Sequence, residues 1–144
     1  MAVSITEKPF NPWDELQTRQ DNLSMAGQYG ATAVFVGTMR DFNEGDKVKA
    51  MTLEHYPGMT EKYLEKIILQ AERQWELMHT LVIHRVGHIL PDESIVLVAV
   101  WAAHRANAFD ASRYIMEELK SHAPFWKKET LEDGDRWVGK GSEG

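Results

Sequence analysis

The decapeptide SIVLVAVWAA, residues 94–103, constrains the fold more than any other stretch of this chain. It carries no charge, is rich in β-branched residues and is flanked by the turn signal Pro91-Asp92, so it reads as a strand. A strand that is apolar on both sides has to be covered on both sides, which places it centrally in a sheet with further layers packed on it. The neighbouring segments supply the cover. Asn11-Pro12 reads as an N-cap followed by a proline in the first helical position, opening a short helix over 12–25. Leu64, Ile67, Ile68, Ala71 and Trp75 recur on one face of a helix that starts near Thr60. A second long helix is expected from Asn107 as cap, with Asp110 at its third position, up to Pro124. Residues 31–40 and 48–57 read as strands joined by the polar turn DFNEGDK and are expected to pair as a hairpin. TLVIHRVG, 125–130 and 134–138 add further strands. This mixture of helices and strands in sequence order predicts an α+β fold, a mainly antiparallel sheet packed with helices. A length of 144 residues fits a single domain over 1–144.

Several function classes drop out. The chain has no cysteine, which excludes disulfides, thiolate nucleophiles, persulfide carriers and Cys-based metal sites. A net charge of −6 argues against broad nucleic-acid binding but leaves room for a local anion site. The first residues lack the apolar core of a secretory signal, and no apolar run reaches the ~18 residues of a membrane span. A cytoplasmic protein with no membrane or nucleic-acid partner is expected. His84 and His88 are four apart and would share a strand face, but no further ligand set accompanies them, so no metal centre is expected.

The segment LKSHAPFWKKE, residues 119–129, gathers lysines around a proline and two aromatics. On the second long helix, Ala108, Ser112, Ile115 and Leu119 share a face assigned to the core. Phe109, Arg113, Met116 and Lys120 form a stripe about 100° away, at the border with solvent. Two readings of this border stand open: cations lining a cleft, or long side chains snorkelling from an amphipathic helix. After Pro124 the period becomes two, so Phe125, Lys127 and Glu129 point one way and Trp126 and Lys128 the other. If the chain doubles back at the proline, Lys127 faces Lys120. Paired ammonium groups lower each other's pKa and together attract a carboxylate, a thiocarboxylate or an oxyanion. Glu129 would orient one of them. The plainer reading is a surface strand of alternating charge. His104-Arg105 stands where a strand end meets a helix N-terminus, which suits either an anion site or a loop arginine paired with a carboxylate. Arg40 ends the first strand and either enters a pocket or is solvated.

The run MTLEHYPGMTEK, followed in order by HRVG, AHR and LKSHAPFWKKE, resembles the large, catalytic subunit of molybdopterin synthase over roughly residues 30–138. The resemblance implies an α/β-hammerhead-type fold. It also implies conversion of cyclic pyranopterin monophosphate (precursor Z) to molybdopterin by installation of a dithiolene. The sulfur would arrive as the C-terminal Gly-Gly thiocarboxylate of a small ubiquitin-like partner subunit, with two partners serving a homodimer in a heterotetramer. Neither a metal nor another cofactor is implied for the sulfur transfer. By the same resemblance Lys120 is the catalytic lysine and Lys127 the second essential one. Arg40, His104 and Arg105 fall on substrate-pocket positions, the last two possible contributions from across the dimer interface. Phe35, Met116 and Glu129 fall on pocket or supporting positions, and Arg136 on a further basic one. The alternative is a non-catalytic α+β scaffold that binds a ligand or a partner.

Overall fold

The computed structural model describes residues 1–138; the last six residues of the expected 1–144 domain lie outside the described residues. The apolar run becomes β8 (Ser94–Ala102), and every residue from 96 to 102 is buried. It is central in a four-stranded sheet, between β6 (His79–Arg85) and β2 (Ala31–Thr38), antiparallel to both. A strand absent from the expected order, β1 (Ala2–Thr6), adds parallel to the far side of β6.

Both faces of this sheet are covered. On one side α2 (Met59–Gln74) contributes Leu64, Ile67, Ile68 and Ala71, and α3 (Arg105–Ser121) contributes Ala108, Ile115 and Leu119, against Val82, Val96, Val98 and Val100. On the other, Trp101, Leu97, Ala99, Leu81 and Ile83 pack on Leu16 of α1 (Pro12–Asp21) and on Leu23 and Met25 beyond it. Trp101 is fully buried, and its indole N–H donates to Gln20 at 3.3 Å, so the one polar atom of that side chain is satisfied. Asn11 caps α1 as expected: its side chain accepts from the Trp13 and Asp14 N–H groups, with Pro12 in the first turn.

A second four-stranded sheet holds β10 (Gly134–Val138), β9 (Phe125–Leu131), β5 (Ala50–His55) and β7 (Gly87–Ile89), in that order and all antiparallel. Met39, Val48, Met51, Leu53, Val86 and Ile89 form the apolar cluster beneath it.

Three expectations are corrected. Residues 31–40 and 48–57 form strands but do not pair: β2 lies beside β8 in the first sheet, and β5 beside β9 and β7 in the second. DFNEGDK does not join them as a simple turn. It folds on itself as a ribbon, β3 (Phe42–Asn43) against β4 (Asp46–Lys47), turning at Glu44 (φ 53°) and Gly45 (φ 82°). Two successive positive φ angles are what a tight two-residue hairpin turn requires. Asn107 does not cap α3, which starts at Arg105 with His104 before it; the Asn107 amide donates to the Trp75 carbonyl at 3.0 Å and ties α3 to the end of α2. His84 and His88 share no face, because Gly87 (φ 84°) turns the chain from the first sheet into the second between them. His84 is buried and stacked on Phe125, with ring centroids 4.0 Å apart, whereas His88 is exposed.

His79, at the start of β6, has its pKa lowered to about 4, first by burial and then by the N-terminal amine and Arg19. Folded protein keeps the ring neutral, while unfolded chain takes up a proton below 6.5. Stability from this group is complete above pH 6.5 and lost as the pH falls toward 4. Calorimetry across that window should show a falling Tm, and His79→Gln should flatten the slope; equal slopes in both proteins would discount His79.

Candidate functional site

Where the two sheets meet, the end of β2 opens into a cavity of about 360 Å³. Phe35, Met39 and Arg40 form one wall, Phe42 and Asn43 of the ribbon a second, and Lys127 and Glu129 of β9 a third. The β2–β8 ladder shifts register between Gly37 and Thr38 as it reaches this point. Gly37 is needed there, since a Cβ would stand 2.8 Å from Val96 Cγ1.

The strand period delivers the third wall. Lys127 and Glu129 point inward and are buried, at 8% and 4% exposure, while Trp126 is exposed and Lys128 only partly covered. In register, Lys127 lies between Leu53 and Val138, and Glu129 between Met51 and Arg136. A buried carboxylate requires partners, and Glu129 has two: Arg136 Nε donates to Oε1 at 2.9 Å and Asn43 Nδ2 donates to Oε2 at 2.9 Å. The rest of the Arg136 fork reaches the ribbon, donating to Asp46 Oδ2 at 2.8 Å and to the Asn43 carbonyl at 2.9 Å. The Glu129 hydrogen bond, and then that to Asp46, hold Arg136 protonated beyond its ordinary range. One guanidinium thus ties β10, β9 and the ribbon together beside the cavity. Arg40 is exposed at the mouth, its guanidinium 5.1 Å from the Phe42 ring centroid, a cation–π distance.

Four of the expected site residues, Phe35, Arg40, Lys127 and Glu129, therefore line one cavity, with Arg136 bound to its acidic member. Lys120 and Met116 are half-buried in the last two turns of α3 and do not line this cavity. Their helix joins β9 through a three-residue reversal, His122 to Pro124, in which the Phe125 N–H donates to the Ala123 carbonyl at 2.8 Å. That i to i+2 bond closes a γ-turn about Pro124, whose φ the ring already fixes. The buried Thr60 hydroxyl donates to the Pro124 carbonyl and pins the reversal to α2. His104 and Arg105 are exposed at the opposite end of α3. Fifteen residues of helix separate Arg105 from Lys120, about 22 Å at 1.5 Å per residue. Phe109 and Arg113 lie exposed on the same stripe. Asn43 was not among the expected site residues: in the sequence it is one polar residue within a polar turn, and only the folded ribbon shows it to be buried against a carboxylate. Among the described residues no group of three or more His, Cys, Asp or Glu is placed to hold a metal ion, and no helix is long and apolar enough to cross a membrane.

Fold and site together define an α+β protein that presents a cationic, aromatic-lined cavity at the seam of two antiparallel-rich sheets. Residues 5–122 match the MoaE protein family, and the chain belongs to it. A Salmonella typhimurium protein described as molybdopterin synthase catalytic subunit is 53% identical over 136 residues, covering 94% of this chain and 88% of its own. The Escherichia coli protein of that description is 52% identical over the same shares. Among solved structures, a molybdopterin synthase from Staphylococcus aureus superposes with a TM-score of 0.83 at 33% identity, covering 94% of this chain and 95% of that one. A MoaE protein from Burkholderia ambifaria does so with 0.78 at 48%, covering 96% and 89%. The match reaches back to residue 5, further than the run from about residue 30 on which the resemblance rests.

Removing the Asn43 amide leaves one Glu129 oxygen buried without its donor, so Asn43→Ala should lower the unfolding free energy by about 1–3 kcal/mol in urea titrations. Asn43→Asp places a second carboxylate there and should cost more at pH 7, recovering in part on acidification. An Asn43→Ala protein as stable as the unaltered one would show the contact to be dispensable.

Proposed function

We propose that this chain is the catalytic subunit of a molybdopterin synthase. In this reading it converts cyclic pyranopterin monophosphate to molybdopterin with sulfur taken from the C-terminal thiocarboxylate of a small ubiquitin-like partner. The observation that carries the reading is Lys127: its amine-bearing side chain is 8% exposed at a cavity shared with Arg40 and Glu129, in a chain 53% identical to a protein of that description.

The chemistry suits the cavity. Replacing oxygen by sulfur on carbon passes through anionic intermediates, and fixed cations in a water-poor pocket stabilise charge that develops there. Lys127 and Arg40 supply that charge, and Phe35 and Phe42 supply apolar wall. Lys120, near the Pro124 turn and beside rather than in the cavity lining, meets the incoming thiocarboxylate and assists its attack on the precursor. Met116 lies one turn before it and borders the tail's path. Glu129 and Arg136, bound to each other, set the geometry of the third wall rather than holding substrate by themselves. His104 and Arg105 are about 22 Å from Lys120 along one helix, and in this reading those of a second copy of the chain serve the pocket. That distance supports a homodimer, each half of which carries one small partner in a heterotetramer. The absence of cysteine agrees with sulfur arriving on another protein, in the cytoplasm.

The test is reconstitution with a thiocarboxylated partner and the cyclic precursor, read by the mass of the pterin product. Lys120→Ala should slow product formation by about 10²–10⁴-fold, and Lys127→Ala should also impair it. Full turnover by a folded Lys120→Ala protein removes Lys120 from the mechanism. Partner binding with no product from the unaltered protein favours the scaffold reading.

A further inference from the structure

We propose that Arg85, at the end of β6 and outside the cavity, is a positioning residue that sets the place of Arg40 through a backbone clasp on Met39. Its consequence for turnover rests on the function proposed above.

Arg85 is 3% exposed. Its guanidinium links β7 to the segment before β8: one terminal nitrogen donates to the His88 carbonyl at 2.6 Å, and the other lies 3.4 Å from Glu93 Oε1. The same Glu93 oxygen accepts the Leu90 N–H at 2.8 Å, and the Glu93 N–H donates to the Leu90 carbonyl at 3.1 Å. Asp92, between them, is held at φ 73°. The Leu90 N–H first, and Arg85 after it, keep the Glu93 carboxyl below its ordinary range, so the acceptor stays ionised. The segment is therefore knotted from within by a buried cation.

Its outer side grips β2. The Met39 N–H donates to the Glu93 carbonyl at 2.9 Å, and the Asp92 N–H donates to the Met39 carbonyl at 2.9 Å. These two bonds restore the contact between the end of β2 and the segment before β8 just beyond the register shift at Gly37 and Thr38. Met39 is 5% exposed, and the next residue is Arg40 at the cavity mouth. The path from Arg85 to Arg40 is thus one ion pair, one knotted turn, two backbone hydrogen bonds and one peptide unit.

The residue type argues for this role. A buried arginine is an expensive way to fill space, and an apolar side chain of similar volume is often more stabilising. What an apolar residue cannot do is hold a carbonyl and a carboxylate at a fixed separation. Lysine lacks the planar fork whose two terminal nitrogens reach these two acceptors separately.

A double-mutant cycle with hydrogen exchange decides it. Arg85→Lys, Arg40→Ala and the double variant are assayed in the full reconstituted reaction, each first shown to be folded by circular dichroism. Arg85→Lys is expected to lower kcat/KM on the order of tenfold in the unaltered background and by less than about twofold in the Arg40→Ala background, because coupled residues are non-additive. The Met39 and Asp92 amides should exchange faster in Arg85→Lys while those of β8 stay protected. Equal losses in both backgrounds, or unchanged Met39 and Asp92 exchange in a folded variant, overturn the proposal. Should Arg85→Lys not fold, Glu93→Gln retains an acceptor for Leu90 but lacks the charge, and it is held to the same two readouts. If the unaltered protein makes no product, the proposed function fails, and exchange at Met39 and Asp92 still decides whether Arg85 holds the clasp.

Discussion

Burial of β8 on both faces is the constraint from which the rest of the structure follows. Seven consecutive buried residues have their backbone groups satisfied by strands on both edges and their side chains by layers on both faces. β6 and β2 meet the first demand. α2 and α3 meet half of the second, and α1 with the segment after it meets the other half. Fully burying one such aliphatic side chain stabilises by about 1.5–3 kcal/mol, so this strand alone outweighs any single polar contact in the molecule. The site is built where that rigid frame ends.

Polar residues take over at the seam. Lys127, Glu129, Asn43 and Arg85 are all buried within the region where the second sheet meets the first. Buried charges of this kind seldom add stability over apolar replacements, but they fix direction, since a hydrogen bond has a geometry and an apolar contact has little. Glu129 illustrates the point. Its two oxygens are each held by a different donor, one from a strand and one from a ribbon. An acid among cations also keeps the cavity from becoming uniformly positive.

The sequence was most legible where the signal is local. The apolar run, the Asn11-Pro12 start of α1, the helical face of α2 and the inward alternation of Lys127 and Glu129 all appear as read, and β10 matches its expected bounds of 134–138. Core positions on α3 came out with Ala111 in place of Ser112, a shift of one residue around the helix. What failed depends on partners distant in the chain. Residues 31–40 and 48–57 are adjacent in sequence and both β-prone, and nothing local reveals that each has a better edge elsewhere. Asn107 has the chemistry of a cap, yet its amide finds the Trp75 carbonyl 32 residues away. His84 and His88 have metal-like spacing until Gly87 takes a positive φ. The site divides the same way: Lys127 and Glu129 follow from the strand period, whereas Asn43 and Arg85 acquire meaning only once the 42–47 ribbon and the 88–93 turn are folded.

The ribbon beside the cavity is secured by Arg136, which lies 90 residues after Asp46 and 93 after Asn43. Translation therefore delivers the fastener long after the parts it fastens. The ribbon is thus closed only by the last strands of the chain: Glu129 of β9 holds the Asn43 amide, and Arg136 of β10 adds Asp46 and the Asn43 carbonyl. Loss of β10 would leave the ribbon with the Asn43–Glu129 contact alone of these bonds, while the first sheet, complete by residue 102, would keep all four of its strands.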